Sequence, residues 1–221
     1  MLKIAVFDGG YGGELFADRL EAELPIVSVI RVIAWREAED FLKAPKIARK
    51  ACVNAIRPYI GRVDLIVLAN HLLSATSLKY FRRKYKNQKF IGLNLPEPTT
   101  FIKRPVMVLT TKSLSKTLNY YNYVFRMKRK VYTLCPDSWP GLIDDGELNN
   151  KAIRQEFENF YLKHRCQPNE IVVACSQFHD IIPNIRNILS KNVKIYDSFD
   201  DTIMKVCKTL KIRGGTGKKR K

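Results

Sequence analysis

Three apolar runs of this 221-residue chain each lead into a side chain that can handle protons. Asp8 follows "KIAVF", His71 follows "LIVLAN", and Cys175 follows "EIVVA". Carboxylate, imidazole and thiol groups accept or deliver protons near neutral pH once their surroundings tune their pKa values. Asp8 is also followed by "GGYGG", a loop whose bare backbone N–H groups can approach a ligand closely. The pattern therefore predicts acid–base chemistry on a small molecule.

The glycine loop has two competing interpretations. A dinucleotide-binding fingerprint would need its third glycine at position 15, where Leu15 stands, and Asp8 would repel a phosphate. That interpretation is therefore disfavoured. The loop can also be a tight strand-to-helix turn that binds nothing, and the sequence leaves this alternative open.

The residues that could do chemistry need a scaffold, and the sequence predicts an α/β fold. Strand-like apolar runs alternate with helical patterns along the chain, and several runs are continuously apolar, as in strands buried on both faces. The two halves of the chain are alike, which predicts two pseudo-symmetric domains, each a largely parallel sheet flanked by helices. Ligands bind outside the carboxyl ends of strands in such sheets, where Asp8, His71 and Cys175 are expected.

A proline- and threonine-rich stretch, "LNLPEPTTFIKRP" (93–105), interrupts the alternation and marks the expected domain boundary. We expect the first α/β domain to comprise residues 1–96 and 197–212, and the second to comprise 97–196. Residues 213–221, "RGGTGKKRK", are expected to form a flexible basic tail.

The composition of the chain is strongly basic. The formal net charge is +18, from 39 Lys and Arg against 21 Asp and Glu, so anions are attracted. A solvated basic surface is the plainer interpretation, and weak anion or nucleic-acid binding through the surface and tail is the other. No apolar run is long enough for a spanning helix and no signal peptide is evident, so we expect a cytoplasmic protein that does not bind membranes. A homodimer stays open.

The five cysteines indicate reduced thiols rather than a disulfide framework. The chain contains no CxxC pair, so no metal site is expected. Cys52 and Cys207 lie among apolar residues in helical patterns and should be inert. Cys175 lies where a buried strand gives way to a helix, a position that favours the thiolate. A lone cysteine at a strand end is otherwise usually a small buried hydrophobic residue, and the sequence leaves both interpretations open at this point.

Seven stretches of the chain resemble, in the same order, the landmarks of the glutamate racemase family within the aspartate/glutamate racemase superfamily. The family opens with "FDSGVGG", continues through "ACNTAS" and "GCTHYPLL", and ends near "IDSA". The stretches are "FDGGYGG" (7–13), "LANHLLSAT" (68–76), "FIGLNLP" (90–96), "VLTT" (108–111), "CPDSWP" (135–140), "ACSQFHDII" (174–182) and "YDSFDDT" (196–202). Seven ordered landmarks over about 200 residues are far more specific than any one motif.

The resemblance implies an aspartate/glutamate racemase-like fold and a two-thiol reaction without a cofactor. One cysteine removes the α-proton of D- or L-glutamate or aspartate and another delivers a proton to the opposite face. Cys175 matches the second cysteine, and the role implied is amino-acid metabolism that feeds peptidoglycan precursors. The positions implied for substrate binding are Gly9, Ser74, Thr110, Thr111, Ser176 and Gln177.

The departures from the family pattern concentrate at the site. Asn70 stands where the family has its first catalytic cysteine, and His71 stands where it has a substrate-binding asparagine. An amide cannot trade protons near neutral pH, so the symmetrical two-thiol reaction is excluded. Other departures are Gly9 for serine, Leu72 for threonine, Gln177 for histidine, Ile143 for glutamate with Asp144 just beyond, and the loss of "PYG" in "WREAEDFLKAPK" (35–46).

Two hypotheses about function follow. In the first, the protein is an isomerase or lyase with a single-thiol site, in which Cys175 serves one face of the substrate and His71 or Asp8 the other. A one-face reaction such as decarboxylation also suits one thiol. In the second, the protein is a pseudoenzyme of racemase fold that binds an anionic partner or regulates.

Overall fold

The computed structural model describes residues 1–33, 45–97 and 105–212. Most of the segment 35–46 and the basic tail 213–221, on which two expectations rest, lie outside these residues. The chain divides into two compact units, which we call the first unit, Met1–Asn94 with the chain from Phe199 onward, and the second unit, Leu95–Ser198.

The first unit alternates strands with helices. Its elements in chain order are β1 (Leu2–Asp8), α1 (Tyr11–Glu23), β2 (Val27–Ile33), α2 (Pro45–Ile56), a 3-10 turn (Arg57–Tyr59), β3 (Leu65–Leu68), α3 (His71–Lys84) and β4 (Phe90–Gly92). The strands form one sheet in the order β2-β1-β3-β4, and every neighbouring pair is parallel.

The second unit repeats this arrangement. Its elements are β5 (Val106–Thr110), α4 (Lys112–Ser115), α5 (Leu118–Arg126), β6 (Val131–Leu134), α6 (Trp139–Asp144), α7 (Asn150–His164), β7 (Glu170–Ala174), a 3-10 turn (Gln177–His179), α8 (Ile182–Ile188) and β8 (Lys194–Asp197). The last helix, α9 (Ser198–Leu210), begins with the final residue of the second unit and otherwise belongs to the first unit. The sheet order is β6-β5-β7-β8, again all parallel. The predicted fold class, two domains with parallel sheets flanked by helices, is confirmed.

Helices cover both faces of the first sheet, which explains the continuous apolar run in β1. Ile4 and Val6 pack in a core cluster with residues of α1 and α9, whereas Ala5 and Phe7 pack in a second cluster with residues of α2 and α3. All four side chains are at most 2 % exposed. Alternate residues of a strand point to opposite faces, so a strand buried on both sides must be apolar throughout.

Helix α3 begins earlier than its helical pattern suggested, and this places the polar cluster after β3. The pattern "SLKYFRRKY" predicts a helix from Ser77, but α3 begins at His71. Asn70 is the N-cap residue, and its Oδ1 accepts a hydrogen bond from the Leu73 N–H at 2.9 Å. Asparagine at this position satisfies a free N–H group of the first turn, so the helix begins directly after the strand end.

Among the residues that the structure describes, none of the helices combines the length and apolar character that crossing a membrane would require.

Candidate active-site residues

Asp8 is the last residue of β1, and its carboxyl group is held from two sides. The side chain is buried, with 6 % of the residue exposed. Its Oδ1 accepts hydrogen bonds from the Gly9 N–H at 2.6 Å and from Asn70 Nδ2 at 3.0 Å. The end of β1 and the residue that caps α3 therefore meet through the Asp8–Asn70 contact, as parallel neighbouring strands allow.

The glycines after Asp8 bring α1 close to the carboxyl group. A Cβ atom on Gly13 would lie 2.3 Å from the Asp8 Cβ, a distance that side chains cannot adopt. The Gly13 N–H donates to the Gly10 carbonyl at 3.0 Å, and its proximity to the carboxyl group lowers the pKa of Asp8. Gly10, in contrast, has nothing within 4 Å of the position of a Cβ. Close approach of the helix to Asp8 therefore requires glycine at position 13 but not at position 10.

Burial moves the pKa of Asp8 close to neutral. Loss of solvation raises the pKa of Asp8 from 3.8 to about 7, and the charge of Glu14 adds to this rise. Hydrogen bonds from Gly9, Asn70 and Gly13 favour the charged form and oppose it in part. A carboxyl group with a pKa near the working pH can both accept and deliver a proton.

Both ends of the Asn70 amide, which the family resemblance aligns with a catalytic cysteine, are engaged in hydrogen bonds. Its oxygen caps α3 through Leu73, and its nitrogen donates to Asp8. Its role in the structure is therefore to hold Asp8 and the start of α3. A side-chain amide contributes no proton near neutral pH.

The other predicted residues of the first unit lie on α3 or next to Asp8 in the chain. His71 is the first residue of α3 and is only 5 % exposed. The Ser74 hydroxyl donates to the Leu68 carbonyl at 2.9 Å, and Ser74 lies so close to Gly92 that a Cβ there would lie 2.5 Å from its Oγ. Ser74 therefore joins α3 to the sheet, whereas Gly9 lies half-buried beside Asp8.

Cys175 lies one residue beyond β7, and a short chain of side chains leads away from it. The residue is 7 % exposed, and its Sγ lies 4.0 Å from Gln177 Oε1. Gln177 Nε2 in turn donates to Asp144 Oδ1 at 2.7 Å. The thiol therefore donates to the Gln177 amide, whose orientation is fixed by the Asp144 carboxylate. Asp144 is the residue directly after Ile143, the position at which the family resemblance implies a glutamate.

His179 was not among the predicted site residues, yet it holds the backbone around Cys175. Its Nδ1 lies 2.9 Å from the Cys175 carbonyl oxygen and 3.1 Å from that of Ser176, so Nδ1 carries a proton and donates. Its Nε2 lies 3.1 Å from both Asp197 Oδ1 and Ser198 Oγ. The His179 side chain is 4 % exposed and that of Asp197 7 %.

The parallel pairing of β7 with β8 brings this histidine and its carboxylate together. Val173 of β7 is in register with Asp197 of β8, so the carboxyl ends of the two strands coincide. The sequence signal was a histidine shortly after one strand and an "YDS" at the end of the next strand. The spacing of residues in a single sequence does not reveal which strands are neighbours in a sheet.

The remaining predicted residues of the second unit lie at the same sheet edge. Thr110 ends β5 in register with Ala174, is fully buried, and donates through Oγ1 to the Ala174 carbonyl at 3.3 Å. Thr111 caps α4 by accepting from the Leu114 N–H at 3.3 Å. Ser176 is buried and contributes its carbonyl to His179. Substrate contacts by these residues stay predictions.

Three of the other thiols are poor nucleophiles because burial disfavours their thiolate forms. Burial raises the pKa of Cys52 to about 12, and it also raises those of Cys135 and Cys207. Cys52 is fully buried in the core of the first unit. Cys166 is partly exposed and serves as the natural reference for Cys175.

Solved structures share this arrangement of strands and helices. Escherichia coli glutamate racemase, in complex with L-glutamate and the activator UDP-MurNAc-Ala, matches with a TM-score of 0.83 and 18 % identity over 100 % of this chain and 86 % of that one. The fold is that of the aspartate/glutamate racemases. Picrophilus torridus aspartate racemase also has it, with a TM-score of 0.67, 14 % identity, and coverage of 97 % of this chain and 96 % of that one.

Sequence comparison points to the same superfamily at low identity. A glutamate racemase of Microcystis aeruginosa is 23 % identical, over 96 % of this chain and 77 % of the relative. No family model matches the chain. The relatives support the resemblance to glutamate racemases, and the solved structures show the shared fold.

Proposed function

We propose that this protein carries out cofactor-independent acid–base chemistry at the α-carbon of a small dicarboxylic amino acid, glutamate or aspartate. The observation that carries the proposal is the buried Asp8 carboxyl group, whose pKa burial raises to about 7 beside the amide that replaces the first thiol. L-glutamate bound to the E. coli racemase of the same fold supports the substrate class. Supply of D-amino acids to peptidoglycan precursors follows from the same resemblance.

Cys175 is the proton-transfer group of the second unit. Its thiolate removes the α-hydrogen of one enantiomer as a proton, which leaves the electron pair on the α-carbon in conjugation with the carboxylate. Gln177, held by Asp144, keeps an amide oxygen on the thiol side, and His179 fixes the backbone that carries the cysteine. An abstracting group must be held within hydrogen-bond reach of the proton that it takes.

Asp8 is the proton-transfer group of the first unit. After the Cys175 thiolate has removed the α-proton, protonated Asp8 delivers its own proton to the α-carbon. The product is the opposite enantiomer. In the reverse direction the Asp8 carboxylate accepts and the Cys175 thiol delivers. His71 is the alternative second base, but Asp8 is favoured because the glycine loop presents N–H groups beside it.

Deuterium wash-in from D₂O tests the proposal. Exchange at the α-carbon of D- and L-glutamate and of D- and L-aspartate would be followed by NMR, for the wild type and for Cys175→Ala. We expect exchange in the wild type, and loss of at least one enantiomer's exchange in the variant. Removal of one general acid–base group typically slows a reaction by about 10²–10⁴. Cys166→Ala, which removes a partly exposed thiol of the same unit, should exchange like the wild type.

Absence of exchange for every enantiomer, in the wild type as in the variants, would overturn this proposal and favour the pseudoenzyme. Exchange that persists unchanged in Cys175→Ala would remove the cysteine from the mechanism. His71→Gln and Asp8→Asn distinguish the two candidate second bases by the same measurement.

A further inference from the structure

The most basic part of the described chain surrounds the C-terminal end of α3 in the first unit. No Asp or Glu stands between Asp64 and Glu97, whereas six cations occur from position 79 to position 89. Arg82 is committed to the fold, since its Nε and Nη2 both donate to the Phe90 carbonyl, at 3.0 and 2.8 Å. The other five, which we call the basic cluster, are Lys79, Arg83, Lys84, Lys86 and Lys89.

The basic cluster is available to a ligand. All five side chains belong to exposed residues, and none forms an ion pair with a carboxylate among the residues that the structure describes. Cations in the last turn of a helix gain from the helix dipole, which accounts for Arg83 and Lys84 in part. It does not account for Lys86 and Lys89, which lie beyond the end of the helix.

An open cavity of about 430 Å³ lies within this cluster and has a fixed wall. It is lined by Ile60, Gly61, Lys84, Tyr85, Lys86 and the segment that ends at Gln88. Gln88 is buried, accepts from the Gly61 N–H at 3.0 Å and donates to the Val63 carbonyl at 3.2 Å. This side chain ties the two sides of the cavity together. The volume falls in the range of small-molecule sites.

An aromatic ring completes the cavity. Tyr85 is half-buried and stacks on Phe90, with ring centroids 6.2 Å apart and an angle of 27° between the rings. Lys84 Nζ lies 5.7 Å from the Tyr85 ring centroid and 5.8 Å from that of Tyr80. A supported aromatic ring beside a cavity, with cations around it, is what stacking of a base and pairing of phosphates require.

We infer that the first unit binds single-stranded nucleic acid at this place, with a base in the cavity against Tyr85 and the phosphates on the basic cluster. A membrane surface fits less well, because none of the exposed large apolar side chains of the described residues lies between positions 57 and 90. The inference is independent of the proposed racemase-like chemistry.

Fluorescence anisotropy with a labelled oligouridylate of about twelve nucleotides tests the inference across a series of salt concentrations. Lys84→Glu/Lys86→Glu should weaken binding at least about tenfold and reduce the magnitude of the slope of log K against log salt by about 1.4, since each phosphate contact on a single strand contributes about 0.7. Tyr85→Leu keeps an apolar contact with Phe90. It should weaken binding about fivefold and leave the slope unchanged.

The matched control is Lys151→Glu/Arg154→Glu, which makes the same change of charge on exposed positions of α7 in the second unit. It should bind within about twofold of the wild type if the site is local rather than a general charge effect. Equal loss in the control would overturn the inference. So would wild-type binding by Lys84→Glu/Lys86→Glu, or binding of anionic vesicles without binding of the oligonucleotide. Circular dichroism would check that each variant is folded.

Discussion

The two units have the same sheet order but place their chemistry on different strands. Asp8 and Thr110 each end the first strand of their sheet, and Asn70 and Cys175 each lie just beyond the third. The first unit therefore has its titratable group on the first strand and an amide after the third. The second unit has a hydroxyl on the first strand and a thiol after the third. At these strand ends the first unit has the titratable side chains of Asp8 and His71, and the second unit has that of Cys175.

The two units also differ in the surroundings of Asp8 and Cys175. Asp8 is surrounded by N–H donors from glycines and from Asn70, which the loop "GGYGG" permits. Cys175 is followed by a 3-10 turn whose His179 is tied to the end of β8. Hydrogen-bond donors limit the rise in the pKa of a buried carboxyl group, whereas the contacts of His179 hold the backbone of Cys175 in place.

Replacing Asn70 by cysteine should give each unit a thiol just beyond its third strand. We expect this change to have the largest effect on α-proton exchange. We expect Asn70→Cys to raise α-proton exchange of the enantiomer that Asp8 serves, by up to about 10²–10⁴, because the thiol would transfer protons alongside Asp8 where the amide transfers none. Asn70→Ser is the matched control, since it has the same size, caps α3 and has no thiol. A gain in the serine variant, or no gain in the cysteine variant, would contradict the equivalence of positions 70 and 175.

The dependence of stability on pH should differ between the wild type and Asp8→Asn. The folded state holds a proton on Asp8 up to pH about 7, whereas the unfolded state releases it near 3.8. The stability contributed by protonated Asp8 is therefore fully present below pH 3.8 and is lost as the pH rises through 7. The expected loss is on the order of 4 kcal/mol, at about 1.36 kcal/mol per pKa unit.

Urea unfolding at pH values from 4 to 8 measures this loss as the difference between the two proteins. The Asp8→Asn profile should lack the slope because its side chain does not titrate. Parallel profiles for wild type and variant would show that Asp8 has an ordinary pKa in the folded protein.

The glycine loop should be sensitive at one position and tolerant at another. Gly13→Ser places a Cβ 2.3 Å from the Asp8 Cβ, so α1 must shift, at a cost of about 1–3 kcal/mol of unfolding free energy. Gly10→Ser has open space at that position and should change stability by less than about 0.5 kcal/mol, since serine is a good N-cap residue. Thermal or urea unfolding of both variants makes the comparison, and equal effects would rule out the close contact.

The thiols should also differ in the order in which they are alkylated. Iodoacetamide should label Cys175 before Cys166 and well before Cys52, whose pKa is raised to about 12 by burial. A bound dicarboxylate should slow labelling of Cys175 alone, as mass spectrometry of the labelled peptides would show. Preferential labelling of Cys166 without a ligand effect would argue against a site at Cys175.

The sequence predicted the fold well because its signals are local. Continuous apolar runs such as "KIAVF" are read directly as strands buried on both faces, and the register of parallel strands then brings Asp8 to the end of β1 beside Asn70. The helical patterns were less complete, since α6 and α8 are short helices with a proline in the first turn. Short helices give too few turns for a periodic signal.

The candidate site was only partly predictable. Cys175 and Asp8 were named as candidates because each follows an apolar run, and Asn70 because the family resemblance aligns it with a catalytic cysteine. His179 and its contact with Asp197 were missed because the contact depends on which strands are neighbours in the sheet. The raised pKa of Asp8 was also not predictable, since it depends on burial by α1 and the approach of Gly13.

The central claim is that Asp8 and Cys175 each serve one enantiomer. Deuterium wash-in for D- and L-glutamate, measured in parallel on Asp8→Asn and Cys175→Ala, tests it most directly. We expect each variant to slow exchange of a different enantiomer by about 10²–10⁴ and to leave the other enantiomer's exchange close to the wild-type rate. Asp8→Asn that exchanges both enantiomers at the wild-type rate would contradict the claim.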